Sequence, residues 1–416
     1  MSVAQHWHKK SFSPQARGPL DGVRVLDLSR LVAGNMTSLQ LADFGADVVK
    51  IEPRAKGDPL RAWKQGGQAT FWKTYGRNKR SLAVDFRTDG ALALIKRLMS
   101  RADVMIESFR PGTLEKMGLG PDVLEHDFPH LVMLRISGFG QTGPYSPRPG
   151  FGTLVEAMSG FAHRNGEPDG DPLLPPLALA DMISGLYGAN AVMMALRARD
   201  TDGHGQIIDV SLLESMVSVL GPEPLDYALT GRPKPRVGNG SNTSSPRNVY
   251  QSADGCYIAI SASIQRTAER LFEAIGRADM NDDPRYATNE ARVARREEVD
   301  AIVGGWIGER TRDQVMDVFA RKGITAAPVY GVDDIVDDAH FIEREIFVDI
   351  PDEDLGQATT HSPLPRLSRT PGSLRRPAPR LGEHSAEILA EAGYSENEYN
   401  ALLTDGTVYS VKRRSE

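Results

Sequence analysis

Asp181 ends an apolar, extended stretch, PLLPPLALA at 172–180, and opens a segment of helical periodicity, DMISGLYGANAVMMALRAR at 181–199. A carboxylate placed there has two uses. It can cap the helix by accepting a hydrogen bond from a first-turn amide. It can also attack an acyl group, because the positive helix end and its free amides stabilise the oxyanion that forms. Gly185, one turn on, removes a side chain where a bulky ligand could approach. A second set of candidates is cationic: Arg54, Arg87, Arg110 and Lys116 each follow a stretch that reads as a strand. Singly, each reads as a solvated surface charge. Together they suit a polyphosphate, since guanidinium forks pair with phosphate oxygens.

Several chemistries lack their residues. AGN at 33–35 has one glycine where a dinucleotide turn needs three, which argues against nicotinamide chemistry. No P-loop and no G-x-S-x-G elbow occurs. His163, His204 and His384 stand isolated, so no metal site is expected. Cys256, the only cysteine, excludes an intramolecular disulfide and a cysteine-based zinc cluster.

These residues need a scaffold, and the first half supplies one. VRVLDLS (23–29), DVVKIE (47–52), RSLAVDF (80–86), DVMIESF (103–109) and LVMLRISGF (131–139) read as strands. Helical patterns at 33–46 and 89–101 alternate with them. That order predicts an α/β fold, a Rossmann-like parallel sheet with helices on both faces. Ligands then bind beyond the carboxyl ends of the strands, where the candidate cations stand. Residues 232–250 are rich in Gly, Pro, Ser and Asn and mark a crossing. An Asp-Gly hairpin signal follows in RNVYQSADGCYIAI. The expected division is a large α/β domain at 1–225, a smaller α+β domain at 226–330, and a return segment at 331–416.

Composition bounds the class. The chain has 416 residues, a net charge of −6, 40% hydrophobic and 25% charged residues. That is globular and offers no basic stripe, so no nucleic-acid partner is expected. No apolar run approaches the roughly 20 residues that span a bilayer, and MSVAQHWHKKSFSPQARG lacks the apolar core of a secretory signal. The expectation is a cytoplasmic protein with no membrane partner.

PLDGVRVLDLSRLVAG (19–34), FGADVVKIEPRAKGDPLR (44–61), NKRSLAVDFR (78–87), ADVMIESFRPGTLEKMGLG (102–120), ISGFGQTGPY (136–145), ALRARDTDGHGQIIDVSLLESM (195–216) and LGEHSAEIL (381–389) occur in this order. With them the chain resembles the class III CoA-transferases (the CaiB/BaiF type), which include formyl-CoA:oxalate CoA-transferase and the carnitine CoA-transferases. The resemblance implies that Asp181 is the nucleophile and that Val84, Asp85, Phe86, Arg87, Ser108, Phe109, Arg110 and Lys116 contact coenzyme A. It places Val32 at a position near the substrate and aligns a substrate loop with Asn242, Thr243 and Ser244. It further implies a homodimer of interlocked chains, with a crossing segment near 190–235. Substrates would be coenzyme A esters and a small carboxylic acid, with no tightly bound cofactor and no metal; succinyl-CoA is the preferred donor on resemblance alone.

Three departures stand out. Val32 replaces a polar residue of the oxalate enzyme, and Asn35 replaces a usual proline. Asn242, Thr243 and Ser244 replace loop glycines. Phe151-Gly152 stands where a Tyr-Asp or Tyr-Glu pair is frequent, so a carboxylate near the nucleophile is expected to be missing. An α-methylacyl-CoA racemase and a non-catalytic binder of CoA esters are the alternatives.

Overall fold

A computed structural model describes residues 7–411; the first six residues of the stretch read for a secretory signal lie outside them. The chain forms two compact units. Among the described residues the first comprises 7–159, 175–221 and 339–411, and the second comprises 160–174 and 222–338. The stretch 160–174 therefore sits with the second unit, inside what the sequence suggests is one large domain. Side chains explain this. Arg236 donates to the carbonyls of His163, Glu167 and Gly170, and Arg164 pairs with Glu223 at 3.2 Å.

The first unit is built on a sheet of β1 (Arg24–Asp27), β2 (Asp47–Pro53), β3 (Lys79–Val84), β4 (Val104–Glu107), β5 (Val132–Ser137) and β6 (Ile207–Ser211). These run parallel in the order β3-β2-β1-β4-β5-β6, and Val408–Tyr409 pairs antiparallel with β3 at the edge. Helices α1 (Leu31–Asp43), α2 (Asp89–Met99), α3 (Gly152–Met158) and α4 (Leu179–Asp202) follow in sequence. β1 to β5 are buried along nearly their whole length, which is why they read as runs rich in Val, Leu and Ile. α2 lays Leu94, Ile95 and Leu98 on the sheet, each worth about 1.5–3 kcal/mol when fully buried. The strand order reverses between β1 and β4. In such sheets that reversal opens a crevice at the carboxyl ends of the two strands.

α4 is long and apolar enough, by length and composition, to cross a membrane, which corrects the sequence expectation; buried core helices pass the same test. Here its small residues carry a close contact with α1. A Cβ on Gly185 would lie 2.7 Å from Met36 Cβ and 2.8 Å from the Ala33 carbonyl oxygen. One on Gly188 would lie 2.7 Å from Thr37 Oγ1. Gly185 thus serves helix packing, not ligand clearance.

Beneath the start of α1 lies a buried charge network. Lys50 pairs with Asp27 and with Asp58, each at 3.1 Å, and Lys79 Nζ donates to Asn35 Oδ1 at 2.8 Å. Asn35 Nδ2 in turn donates to Asp58 Oδ2 at 2.8 Å. Burial pulls Lys79 down to about 8, opposed by Asp27. Asp58 also accepts from the Leu31 amide at 3.2 Å, which holds Leu31 at φ 65, a left-handed conformation strained for a branched residue. The network fixes the turn between β1 and α1. Asn35 is part of it, which accounts for its departure from proline.

The second unit carries β7 (Arg247–Gln251), β8 (Tyr257–Ser261) and β9 (Ala326–Pro328) as an antiparallel sheet, with β7 and β8 forming the expected hairpin. Helices α5 (Gln265–Ala274), α6 (Arg296–Gly308) and α7 (Arg312–Lys322) bury Leu271, Phe272, Val303 and Phe319 with strand residues Ile258 and Ile260.

Candidate active site

α4 begins two residues before Asp181. Ala178 is the capping residue, and no side chain caps this end. Asp181 is the third residue of the helix, so the capping role is not the one it fills. It remains in the first turn, where amide dipoles favour an anion. Burial pushes its carboxyl up to about 6. A hydrogen bond from the Ala33 amide opposes that rise, and the nearby Glu156 adds to it.

Gly152, the first residue of α3, explains how close the packing is. A Cβ there would lie 2.6 Å from Asp181 Oδ2, inside van der Waals contact. The absence of a side chain at 152 leaves room for the carboxylate itself. Phe151, 59% exposed, stands at the wall of the same cavity. The expectation that no carboxylate lies near Asp181 is overturned. Glu156, one turn along α3, is 3% exposed, and its Oε1 accepts from the Ala180 amide at 3.0 Å. Sequence reasoning missed Glu156. Its only signal is a charged residue at the spacing of the buried face, four after Gly152 and one after Val155.

Asp181 opens onto a cavity of about 450 Å³ at the sheet's strand-order reversal. The turn after β1 lines it with Arg30 and Leu31, and the turn after β4 with Ser108, Phe109 and Arg110. Ser137 and Gly138 at the end of β5, Arg148 and Leu212 complete most of the wall. The Arg148 guanidinium stacks 3.8 Å over the Tyr145 ring. Arg30, Arg110 and Arg148 have no carboxylate within 4 Å among the described residues, so their charge is open to an anionic ligand.

A second cavity, of about 580 Å³, lies at the ends of β2 and β3. Arg54, Lys56, Val84, Asp85, Phe86 and Arg87 line it, and Arg30 lines both cavities. Arg54 also donates to the Gly406 carbonyl at 2.7 Å, and Arg87 pairs with Asp85 at 2.8 Å. The expected coenzyme A residues therefore divide between two neighbouring hollows along one sheet edge. Two fall outside. Val32 is 1% exposed and packs with Leu60 and Trp72, because the α1 turn directs it inward. Lys116 ends the short helix Thr113–Lys116, is exposed, and lines neither hollow.

Asn242, Thr243 and Ser244 lie in the second unit. Asn242 Nδ2 donates to the Pro235 carbonyl at 3.3 Å, and Asn289 Nδ2 donates to the Thr243 carbonyl at 2.9 Å. The Ser244 hydroxyl is buried without a hydrogen-bond partner.

Residues 20–385 match the family model described as CoA-transferase family III. The chain belongs to that family. It is similar to the succinyl-CoA–D-citramalate CoA-transferase of Chloroflexus aurantiacus, 38% identical over 376 residues, 90% of this chain and 94% of that one. It is 36% identical over 388 residues to the succinate–glutarate CoA-transferase of Agrobacterium fabrum, covering 91% of this chain and 96% of that protein. Among solved structures, a CaiB/BaiF family protein from Brucella suis superposes with a TM-score of 0.79 at 34% identity, over 90% of this chain and all (100%) of that one. This family III enzyme is thus a CoA-transferase.

A carboxylate attacks only in its ionised form, so a nucleophilic Asp181 would act from that state. With its carboxyl raised to about 6, kcat/KM should fall tenfold per unit as pH drops below that value, and level off above it. A pH–rate profile checks this; an acid limb centred near 4 would contradict the raised value.

Proposed function

We propose that this enzyme moves coenzyme A from succinyl-CoA to a small dicarboxylic acid through a covalent intermediate on Asp181. The carboxylate of Asp181 attacks the thioester carbonyl, the C–S bond breaks, and a mixed anhydride and CoA thiolate form. The thiolate attacks the Asp181 carbonyl of the anhydride, releasing succinate and leaving an aspartyl-CoA thioester. The acceptor carboxylate attacks that thioester, giving a second anhydride and again the thiolate. Attack of the thiolate on the acceptor's carbonyl then frees the new CoA ester and regenerates Asp181. This exchange splits one acyl transfer into easier steps and uses no metal or nucleotide hydrolysis.

The observation that carries this reading is the composition of the cavity. Among its described lining residues Asp181 is the one carboxylate, and no histidine, cysteine or lysine accompanies it. Inversion of an α-carbon needs an acid and a base on opposite faces, and Phe151 cannot supply the second. A nucleophile needs no such pair. The donor assignment draws on relatives named for succinyl-CoA transfer to citramalate and for CoA exchange between succinate and glutarate. The open charges of Arg30, Arg110 and Arg148 suit substrates with a free carboxylate.

Succinyl-CoA incubated with citramalate, malate and glutarate in turn, with mass spectrometry of the CoA products, tests the reading. At least one acid should appear as its CoA ester. No exchange with any acid, together with α-deuteration of a 2-methylacyl-CoA in deuterated water, would replace it with isomerase chemistry.

We assign the nucleotide portion of coenzyme A to the hollow lined by Arg54 and Arg87, and the thioester to the cavity of Asp181, with Arg30 between them. Arg87 is 86% exposed in its side chain, so its removal leaves the core untouched. Arg87→Ala should raise KM for the CoA ester about threefold to tenfold with kcat nearly unchanged, because a remote phosphate contact contributes uniform binding. Steady-state kinetics checks it; a fall in kcat at constant KM would place Arg87 elsewhere. Within this reading Asn242–Ser244 are the substrate loop that the resemblance implies.

A homodimer of interlocked chains completes the proposal. Its support is an apolar surface on α3 and α4, where Leu154, Met158, Leu186, Tyr187, Met193 and Met194 are each more than 40% exposed. Surfaces of that kind mark association sites.

A further inference from the structure

Glu156 is buried, yet among the described residues no lysine, arginine or histidine lies within 4 Å of its carboxylate. Its one described donor is the Ala180 amide, at 3.0 Å. A glutamine could accept the same hydrogen bond without bringing a charge out of water. What distinguishes the residue present is its negative charge, and it sits beside the reacting carboxylate.

We propose that Glu156 is a positioning residue for the covalent step: seated on the Ala180 amide, it disfavours the free Asp181 carboxylate relative to the neutral acyl adduct. The inference rests on the covalent role of Asp181 given above. When an Asp181 oxygen bonds to the thioester carbon, the C–S bond breaks and the negative charge leaves with the thiolate. Repulsion between the two carboxylates is present before that step and absent after it. Like charge raises the pKa of a neighbouring carboxyl for the same reason, and the direction found for Asp181 agrees.

The other charged groups facing Asp181 are few. Arg30 precedes α1, Arg110 follows β4 and Arg148 lies in the loop before α3; all three are exposed on the cavity wall. From α1 the Ala33 amide donates to Asp181, and α3 contributes Glu156. Substituting Glu156 therefore removes the one negative charge of this group while the cations stay.

Glu156→Gln keeps the size and the acceptor for the Ala180 amide. Its acid limb of kcat/KM should move to lower pH by about half a unit or more. The fraction of enzyme trapped as the Asp181 adduct under saturating donor should fall about threefold or more, since one pKa unit corresponds to a factor of ten. Affinity for free CoA should not change. An unshifted limb with an unchanged adduct fraction would overturn the proposal. Failure here is separable from failure of the covalent reading: the latter would show as turnover in Asp181→Ala, whatever Glu156→Gln does. If Glu156→Gln does not fold, Glu156→Asp decides: its shorter side chain draws the charge back from Asp181, so the acid limb should again move to lower pH. An unshifted limb in a folded Glu156→Asp enzyme would contradict the proposal.

Discussion

Asp181→Ala should lower turnover by about 10⁴-fold or more, a loss of roughly 5 kcal/mol of transition-state stabilisation, while CoA esters still bind. The substitution removes the proposed nucleophile and leaves the rest of the cavity in place. Asp181 makes no described ion pair and caps no helix, so folding has little reason to depend on it. Calorimetric titration of CoA alongside the rate assay separates the two effects. Loss of both binding and turnover would assign Asp181 to structure instead.

Gly152→Ala should also be damaging, though less so, for a steric reason. The added Cβ would meet Asp181 Oδ2 at 2.6 Å, and both groups lie on helices whose starts pack together. Either the carboxylate rotates away or the start of α3 shifts. A displacement near 1 Å at a reacting group costs about 10²-fold, so kcat should fall by that order with KM little changed. Serine at the same position should behave like alanine, because the clash is with Cβ. An active Gly152→Ala enzyme would mean that the productive position of Asp181 differs from the one described.

The sheet was legible because largely buried parallel strands leave short runs rich in Val, Ile and Leu between helical patterns. DVVKIE at 47–52 appears as Asp47–Pro53 and LVMLRISGF as Val132–Ser137, each within a few residues. The position of residues that follow strands was equally legible: Arg54, Arg87, Ser108 and Arg110 all line hollows at the expected sheet edge. What failed were statements about side-chain direction within helices. Val32 turns into a core with Trp72, and Gly185 meets α1 instead of open space, because helix phase and helix–helix approach are set by tertiary partners. Glu156 was not singled out from the sequence. Only the placement of α3 against the start of α4 brings it to the Ala180 amide. Asn35 likewise acquires meaning from Lys79 and Asp58, which lie 44 and 23 residues away.

The same contacts bear on strength of function. Burial raises Asp181 to about 6, so the carboxylate stays ionised at neutral pH and is a stronger base than an exposed aspartate. A more basic carboxylate attacks a thioester more readily, while remaining a good enough leaving group for the reverse step.

Intact-protein mass spectrometry of the enzyme quenched in acid after mixing with succinyl-CoA tests the covalent claim most directly. The account predicts a species heavier by CoA less one water, mapping after digestion to the peptide that contains Asp181, and discharged on adding an acceptor acid at a rate no slower than kcat. Full CoA transfer with no adduct on Asp181, or with one on another residue, would contradict it.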